Sequence, residues 1–287
     1  MTSHDVVSRV RRLAGTRKVG HAGTLDPMAT GLLILGLDSS TRLLTYLVGL
    51  SKVYEATIRL GFATTTDDSE GEALGAPVDT TSITAEAIAA AIVPLTGEIR
   101  QVPSSVSAIK VDGKRSYDRV RAGEEFTLAA RAVTVSAFDV LEIRGGSAIE
   151  FDVRIACSSG TYVRALARDL GAALGVGGHL TALRRTSIGP FDVEQAGSLD
   201  DSLVASLRDP ASVASRLFPT VQLTEDEATA LAQGKRPALA NLAADLTDHP
   251  GPIAAITGAQ VLTGLVSTSA GVARVLVNFP TDEVRGS

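Results

Sequence analysis

Two stretches of the chain alternate between apolar and polar residues, Lys52–Gly61 and Ala148–Cys157. The inward positions are Tyr54, Ala56, Ile58 and Leu60 in the first stretch, and Ile149, Phe151, Val153, Ile155 and Cys157 in the second. A period of two places successive side chains on opposite faces of a strand. Each stretch is therefore predicted to be a half-buried β-strand.

Apolar residues at helical spacing occur elsewhere, each time followed by a signal that ends a helix. The predicted helical segments are Ser3–Ala14, capped by Ser3 and ended by Gly15; Thr84–Thr96, ended by Gly97; a helix capped by Thr161 and ended by Gly175; and Asp200–Leu217, broken by Phe218 and Pro219. From about Val221 onward, short strands and glycines are expected.

A glycine-rich stretch, Gly20–Gly31, is predicted to be a tight loop, because three glycines, a proline and two threonines exclude a regular helix or central strand. The apolar run Leu32–Leu37 follows it and is expected to be a buried strand. The bend carries His21 and Asp26. Asp before Pro is a common turn former, but loops on a rigid scaffold also carry reactive groups. The loop lacks the spacing and the Lys-Ser/Thr pair of a phosphate-binding P-loop.

The composition favours a cytoplasmic protein without a membrane span. The 287 residues can bury a large core in one extended domain or two. No apolar run approaches the roughly 18 residues of a spanning helix, and the N-terminus has no apolar signal region. A single cysteine, Cys157, excludes an internal disulfide and a cysteine-based zinc site, and is expected to be an inert core thiol.

The charge distribution gives no bulk support for nucleic-acid binding, since the net charge is −5. Residues 1–195 carry 21 Lys and Arg against 22 Asp and Glu, and residues 196–287 carry 6 against 10. The basic residues cluster as Arg9/Arg11/Arg12/Arg17/Lys18, Lys110/Lys114/Arg115/Arg119/Arg121 and Arg164/Arg168/Arg184/Arg185. Each cluster is either a solvated face or a local RNA-binding patch. The acidic group Asp67, Asp68 and Glu70 lacks the spacing of a calcium loop, so a solvated turn is expected there.

The string Gly-His-Ala-Gly-Thr-Leu-Asp-Pro-Met-Ala-Thr-Gly at residues 20–31 resembles the catalytic motif of the TruB family of tRNA pseudouridine synthases and their dyskerin relatives. Two further strings are similar to family signatures: Cys-Ser-Ser-Gly-Thr-Tyr-Val-Arg at 157–164, and Gly178–Thr186. Family members usually begin earlier, with a short strand before Thr-Ser-His, whereas this sequence starts at Met1-Thr2-Ser3-His4. Either the start is internal to the natural gene product, or the chain lacks an edge strand of the family fold.

The resemblance implies a role for each matching residue. Asp26 would be the catalytic aspartate, Arg164 its partner, and Tyr54 the residue that stacks on the target base. An arginine there would also favour the ionised form of a carboxylate in a dry pocket. The implied contacts to substrate or RNA are His21, Gly23, Thr24, Tyr162 and Leu183, with Leu183 lining the uracil pocket. A general acid or base role for His21 remains an alternative.

The segment Gln101–Tyr117 resembles the family signature that introduces an RNA-clasping thumb, which would span residues 102–130. Asp112-Gly113 predicts a two-residue hairpin turn within it. Lys110, Lys114 and Arg115 would then contact phosphates. The implied domains are a catalytic domain at 1–195, a helical connector at 196–220 and a PUA-like RNA-binding domain at 221–287.

The fold that the resemblance implies is α+β: a long, mostly antiparallel sheet flanked by helices, with the thumb insertion and a small β-rich C-terminal domain. The implied activity is isomerisation of uridine 55 in the tRNA T-loop to pseudouridine, by base flipping and without a cofactor or metal. A monomer whose partner is the T-arm of tRNA is expected. The alternatives are a tRNA-binding or tRNA-folding protein that uses the same cleft without chemistry, and a dyskerin-like enzyme guided by a separate RNA.

Overall fold

A computed structural model describes residues 1–104, 110–111, 114–115, 129–145 and 148–279 of the chain. The chain divides into two compact units. One comprises Met1–Leu25, Leu33–Val48 and Ala196–Ser287, and the other comprises Asp26–Leu32 and Gly49–Gln195. We call the second the sheet unit, because it holds the long antiparallel sheet, and the first the terminal unit.

The described α-helices are α1 (Ser3–Leu13), α2 (Leu44–Val48), α3 (Ala85–Ile92), α4 (Val163–Ala173), α5 (Pro210–Ser215) and α6 (Glu225–Ala232). Short 3₁₀ helices lie at Asp38–Leu43, Val93–Leu95, Val193–Gln195, Leu203–Ser206 and Ala244–Leu246. No helix among the residues that the structure describes combines the length and the apolar character needed to cross a membrane.

The described strands are β1 (Val19–His21), β2 (Thr30–Gly31), β3 (Leu35–Leu37), β4 (Lys52–Leu60), β5 (Ala63–Thr64), β6 (Ala73–Leu74), β7 (Gly97–Gln101), β8 (Lys110–Val111), β9 (Lys114–Arg115), β10 (Arg131–Arg144), β11 (Glu150–Cys157), β12 (Gly178–Ile188), β13 (Phe191–Asp192), β14 (Thr220–Leu223), β15 (Ile253–Thr257), β16 (Leu262–Ser269) and β17 (Val272–Asn278).

The sheet unit is built on one seven-stranded sheet with the order β13-β12-β4-β11-β10-β7, and β2 added along β12. The neighbours in this order pair antiparallel, whereas β2 runs parallel to β12. Strands β4 and β11 are the two alternating stretches of the sequence, and every inward position predicted for them is buried. The α+β class and the long, mostly antiparallel sheet are thus confirmed.

Helix α4 packs on β12 and β4, and α3 packs on β10, so both helices cover one face of this sheet. The core between them is apolar. It includes Ile58, Leu60, Ile88, Phe151, Val153, Ile155, Leu166, Leu170 and Leu180. The strands place apolar side chains on one face every second residue, and α4 places its apolar side chains along one side. These two apolar surfaces pack on each other and form the core.

The terminal unit contains a small sheet, in which β1 pairs antiparallel with β3, and a four-stranded sheet ordered β14-β15-β16-β17. Strands β14 and β15 run parallel, and the other two pairs are antiparallel. Helix α6 packs against this sheet and begins with a capping box between Thr224 and Glu227. Short strands after Val221 were expected from the sequence, and this part of the chain has them.

Two helix caps differ from the predictions. Helix α1 begins at Ser3 and is capped by Thr2. The Thr2 hydroxyl accepts from the Asp5 N–H, and the Asp5 carboxylate accepts from the Thr2 N–H, which completes a capping box. Helix α4 has Tyr162 at its cap position instead of Thr161, and no side-chain cap of its own. The remote Gln101 binds both the N–H and the carbonyl of Tyr162, at 2.8 and 3.0 Å. Local sequence carries no sign of such a distant partner.

Two predicted elements are shorter than expected. Within the run Leu32–Leu37, the strand covers Leu35–Leu37. Leu32 lies outside this strand, because its N–H donates to the Arg185 carbonyl on β12. The predicted helix Asp200–Leu217 consists of the 3₁₀ helix Leu203–Ser206 and the helix α5. Pro210 causes this break, because it lacks an N–H and forces Asp209 into an extended conformation, from which Asp209 caps α5.

The segment predicted to be a thumb is described only in part. Strands β8 and β9 pair antiparallel, with Lys110 opposite Arg115, as expected for strands on either side of a hairpin turn. The turn residues Asp112 and Gly113, residues 105–109 and 116–128, and the side chains of Lys110, Lys114 and Arg115 lie outside the described part of the chain. The thumb and its phosphate contacts therefore stay a prediction.

Candidate active site

Asp26 lies at the start of a turn that is tied to the long sheet. The carbonyl of Asp26 accepts a hydrogen bond from the Ala29 N–H at 2.9 Å, which closes the turn. Thr30 and Gly31 then pair with Arg184 and Arg185 of β12. Gly31 has a φ of +96°, and a Cβ at this position would lie 2.2 Å from the Arg185 carbonyl oxygen. Only glycine permits this approach, which fixes the turn against β12.

Arg164 holds the Asp26 carboxylate with both ends of its guanidinium. Its Nε donates to Asp26 Oδ2 at 3.0 Å, and its Nη2 donates to Asp26 Oδ1 at 2.9 Å. The Arg164 side chain is 4% exposed, whereas that of Asp26 is 34% exposed. Paired N–H donors in a fixed plane set both the direction and the rotation of a carboxylate. Asp26 therefore presents a partly open, oriented carboxylate.

Arg164 is itself held from its other side by the loop after β5. Its Nη1 donates to the Thr66 carbonyl at 2.8 Å and lies 3.4 Å from Asp68 Oδ2. Asp68 is buried, and its other carboxylate oxygen accepts from the Thr66 hydroxyl and from the Glu70 N–H. A buried arginine between two carboxylates has its charge balanced from both sides.

The loop residues Asp67 and Asp68 were expected to be a solvated turn, and that prediction is wrong. Both are buried and face arginines of α4. Arg168, one helical turn after Arg164, binds Asp67 Oδ2 at 3.1 Å through Nη1. Two adjacent carboxylates of one loop thus serve two arginines at i and i+4 of one helix, a pairing that the local sequence does not report.

The Asp67 carboxyl has a raised pKa, because burial disfavours its charged form more than its surroundings favour it. The opposing contributions come from Ser104, Arg168 and Arg164, in that order. Arg168 also donates from Nη2 to the Val102 carbonyl at 2.7 Å. This second arginine therefore links the acidic loop to the end of the chain segment that follows β7.

Tyr54 and Leu183 lie on the inward face of the sheet beside this pair. Tyr54 is opposite Arg185 in the register of β4 and β12, and Leu183 is opposite Ala56. Tyr54 and Leu183 are both buried. Burial raises the pKa of the Tyr54 hydroxyl, and the charge of Arg185 is the largest opposing influence. A neutral ring at this place offers a flat apolar surface to a base.

Tyr162 is half-buried at the start of α4, two residues before Arg164, where Gln101 fixes its backbone. His21 lies in β1, and Gly23 and Thr24 lie in the turn that follows it, with Gly23 at a φ of +96°. These three belong to the terminal unit. The structure thus brings Asp26, Arg164, Tyr54 and Leu183 together within the sheet unit.

Cys157 and the acidic residues offer no other catalytic centre in this region. Burial raises the pKa of Cys157 to about 11, as expected of a core thiol. Among the described residues, no group of three or more His, Cys, Asp or Glu side chains is placed to hold a metal ion. The chemical group that this geometry does present is the Asp26 carboxylate, oriented by Arg164.

A profile described as TruB family pseudouridylate synthase (N terminal domain) matches residues 11–163, which is more than half of the chain. The chain belongs to the TruB family. A second TruB profile, the tRNA pseudouridylate synthase B C-terminal domain, matches residues 164–221. The TruB resemblance of the three sequence signatures is thereby confirmed.

Curated relatives of this TruB-family chain agree over its whole length. A protein of Leifsonia xyli subsp. xyli is 61% identical over 287 residues, covering 99% of this chain and 94% of its own. One of Arthrobacter sp. is 54% identical over 293 residues, covering 99% and 95%. Both carry the name tRNA pseudouridine synthase B.

Solved structures share the fold. A chain from the crystal structure of a Cbf5-Nop10-Gar1 complex has a TM-score of 0.70 and 24% identity, covering 98% of this chain and 81% of its own. A chain from an H/ACA RNP bound to a substrate RNA containing 2'-deoxyuridine also has a TM-score of 0.70, with 22% identity, covering 99% and 83%. At this identity the similarity shows the fold alone.

Proposed function

We propose that the protein is a tRNA pseudouridine synthase, an isomerase that converts uridine 55 in the T-loop of tRNA to pseudouridine. Membership of the TruB family and the name that its relatives carry support this activity. The single structural observation that carries it is the bidentate pairing of the partly exposed Asp26 with the buried Arg164.

The reaction needs a carboxylate that is ionised, oriented and open to the base. The N1–C1′ bond of the uridine breaks, the base turns, and a C5–C1′ bond forms. C5 then loses its hydrogen as a proton, and N1 gains one. Asp26 is the proposed catalytic residue, whether it attacks C1′, attacks C6 or assists deprotonation. Arg164 keeps the Asp26 carboxylate oxygens in a fixed plane, so that the reacting atoms meet in one geometry.

The base must leave its stack to reach Asp26. Tyr54 is proposed to stack on the flipped uracil and Leu183 to line its pocket, since both lie on the sheet face beside the Asp26 turn. Tyr162, His21, Gly23 and Thr24 are proposed to contact the substrate. Lys110, Lys114 and Arg115 are proposed to bind phosphates from the thumb segment at 102–130.

The wider assignments rest on the family. We propose a catalytic domain at 1–195, a connector at 196–220 and a PUA-like RNA-binding domain at 221–287. The protein would act in the cytoplasm as a monomer on the T-arm of tRNA, without a cofactor or metal. A tRNA-binding protein without chemistry is the second candidate. The open, oriented carboxylate of Asp26 speaks against this candidate, because a carboxylate in the cleft weakens the binding of phosphate-rich RNA and serves no purpose without catalysis.

The test is release of tritium from a T-arm stem-loop that carries [5-³H]uridine, because the C5 hydrogen is lost only when the C5–C1′ bond forms. The wild type is expected to release tritium, and Asp26→Asn is expected to bind the RNA but release none. Asp139→Asn is the matched control, since Asp139 is an exposed residue of β10. A stem-loop with cytidine at position 55 should release none.

Two results would contradict the proposal. If the wild type binds the stem-loop tightly and releases no tritium, the protein is an RNA binder. If Asp26→Asn releases tritium as fast as the wild type, the enzyme is a synthase but Asp26 is not its catalytic group.

A further inference from the structure

Arg185 is a buried arginine that the proposed chemistry has not used. It is 1% exposed and lies on the inward face of β12, two residues after Leu183, at a place where an apolar side chain would be expected. Its neighbour Arg184 is exposed on the opposite face. The sequence placed both in one basic cluster, but a guanidinium this deeply buried is costly unless well-placed acceptors surround it.

One set of contacts joins Arg185 to the turn that carries Asp26. The Arg185 Nε donates to the Leu32 carbonyl at 2.8 Å, and the Arg185 carbonyl accepts from the Leu32 N–H at 2.8 Å. Side chain and backbone of one residue thus satisfy both backbone groups of Leu32. Because Gly31 approaches the same carbonyl, the end of the segment Asp26–Leu32 is held at one position on β12.

A second contact joins Arg185 to Tyr54. The two residues are direct partners in the pairing of β12 with β4, and both side chains are buried on the same face. Burial raises the pKa of the Tyr54 hydroxyl, and the charge of Arg185 and a side-chain hydrogen bond from it act in the opposite direction. Lys52, two residues before Tyr54 on the same face, donates to the Leu50 carbonyl at 2.6 Å. Burial lowers the pKa of the Lys52 ammonium, and the nearby charge of Arg185 lowers it further.

We propose that Arg185 is a positioning residue, which fixes the Tyr54 ring relative to the Asp26 turn so that the flipped base meets the carboxylate at one distance. Arg164 orients the carboxylate itself, and Arg185 fixes the far end of the same seven-residue segment together with the ring. This role rests on the proposed function, since it concerns the base that Tyr54 receives. A planar guanidinium can serve the Leu32 carbonyl and the Tyr54 hydroxyl at once, whereas a lysine ammonium is a point charge on a flexible stem.

The experiment compares Arg185→Lys with Arg154→Lys, the same change at an exposed residue of β11 that lies outside the basic clusters. The readouts are the single-turnover rate of tritium release, the dissociation constant for the stem-loop and the melting temperature. Arg185→Lys is expected to lower the rate by about 10- to 100-fold, as for a small misplacement of reacting groups, and to leave RNA affinity within about twofold. Arg154→Lys is expected to keep the wild-type rate.

A double-mutant cycle separates positioning from a general loss of stability. If Arg185 acts through the Tyr54 hydroxyl, Tyr54→Phe lowers the rate in the wild type and has a smaller effect in Arg185→Lys. A folded Arg185→Lys with the wild-type rate, or full additivity with Tyr54→Phe, would overturn the proposal. If Arg185→Lys melts below the assay temperature, the test rests on Tyr54→Phe alone. An unchanged rate of tritium release in Tyr54→Phe would then overturn the proposal. A wild type without activity would instead refute the proposed function.

Discussion

Replacing Arg164 with lysine keeps a positive charge beside Asp26 but removes the planar fork that orients the carboxylate. The contacts of Arg164 include two hydrogen bonds to Asp26 and one, in the opposite direction, to the Thr66 carbonyl. One ammonium at the end of a lysine stem cannot reach both Asp26 oxygens and the Thr66 carbonyl. We expect the variant to keep one contact with Asp26 and to lose the other two.

The two lost contacts appear in different measurements. A hydrogen bond to a charged group is worth about 1.5–3 kcal/mol, so a lost Asp26 contact that matters in the transition state slows the reaction by roughly 10- to 100-fold. The Thr66 contact is lost in the ground state as well. Leaving a carbonyl of a half-buried residue without its donor should reduce the free energy of unfolding by about 1 kcal/mol.

The assay is single-turnover tritium release with enzyme in excess, together with stem-loop affinity and thermal unfolding. Arg154→Lys is the matched control, because Arg154 is an exposed residue of β11 and the substitution is the same. A wild-type single-turnover rate in Arg164→Lys would refute the reasoning. It would mean that the turn alone orients Asp26 and that the fork is dispensable.

Two further outcomes are expected. Gly31→Ala should lower the free energy of unfolding by about 2–4 kcal/mol in denaturant titration, since alanine is strained at a φ of +96° and its Cβ would displace the Arg185 carbonyl 2.2 Å away. Native Cys157 should resist a thiol reagent at pH 8, because a pKa of about 11 keeps the thiol protonated, and should react once the protein is unfolded.

Each of these outcomes has its own control. Gly97 has a similar φ of +91° and open space around its Cβ position, so Gly97→Ala measures the backbone strain without the clash. Equal losses in the two alanine variants would show that β2 yields to the added methyl group. Rapid modification of Cys157 in the native protein would show that β11 opens readily.

The sequence was sufficient where the relevant physics is local. A period of two along β4 and β11 fixes which side chains face the core, and all of the predicted inward residues are buried. The turn at Asp26 was predicted because Gly, Thr and Pro at close spacing leave few conformations, but the ends of the predicted loop Gly20–Gly31 lie in β1 and β2. Pro210 was a local signal too, and the predicted helix Asp200–Leu217 failed because it was overlooked.

The parts that were missed depend on partners far away along the chain. Asp68 has the composition of a turn residue, and only its approach to Arg164, 96 positions later, makes it a buried counterion. Gln101 caps α4 from 61 residues away. Arg185 looked like a surface charge beside Arg184, and its inward position follows from the register of β12 with β4. Spacing along one element cannot report such pairings.

The ends of β7 and β10 have a consequence for how this protein can be re-engineered. Gln101 and Arg131 are direct partners in the sheet, and Arg100 donates to the Ala130 carbonyl at 3.0 Å. The chain therefore leaves the sheet after Gln101 and re-enters it at Arg131, at one point of the sheet. Because loop-closure entropy grows only with the logarithm of loop length, the chain between these two positions can be shortened or exchanged at small entropic cost to the rest of the sheet. If the proposed thumb binds RNA, RNA affinity and the chemistry at Asp26 can then be altered separately.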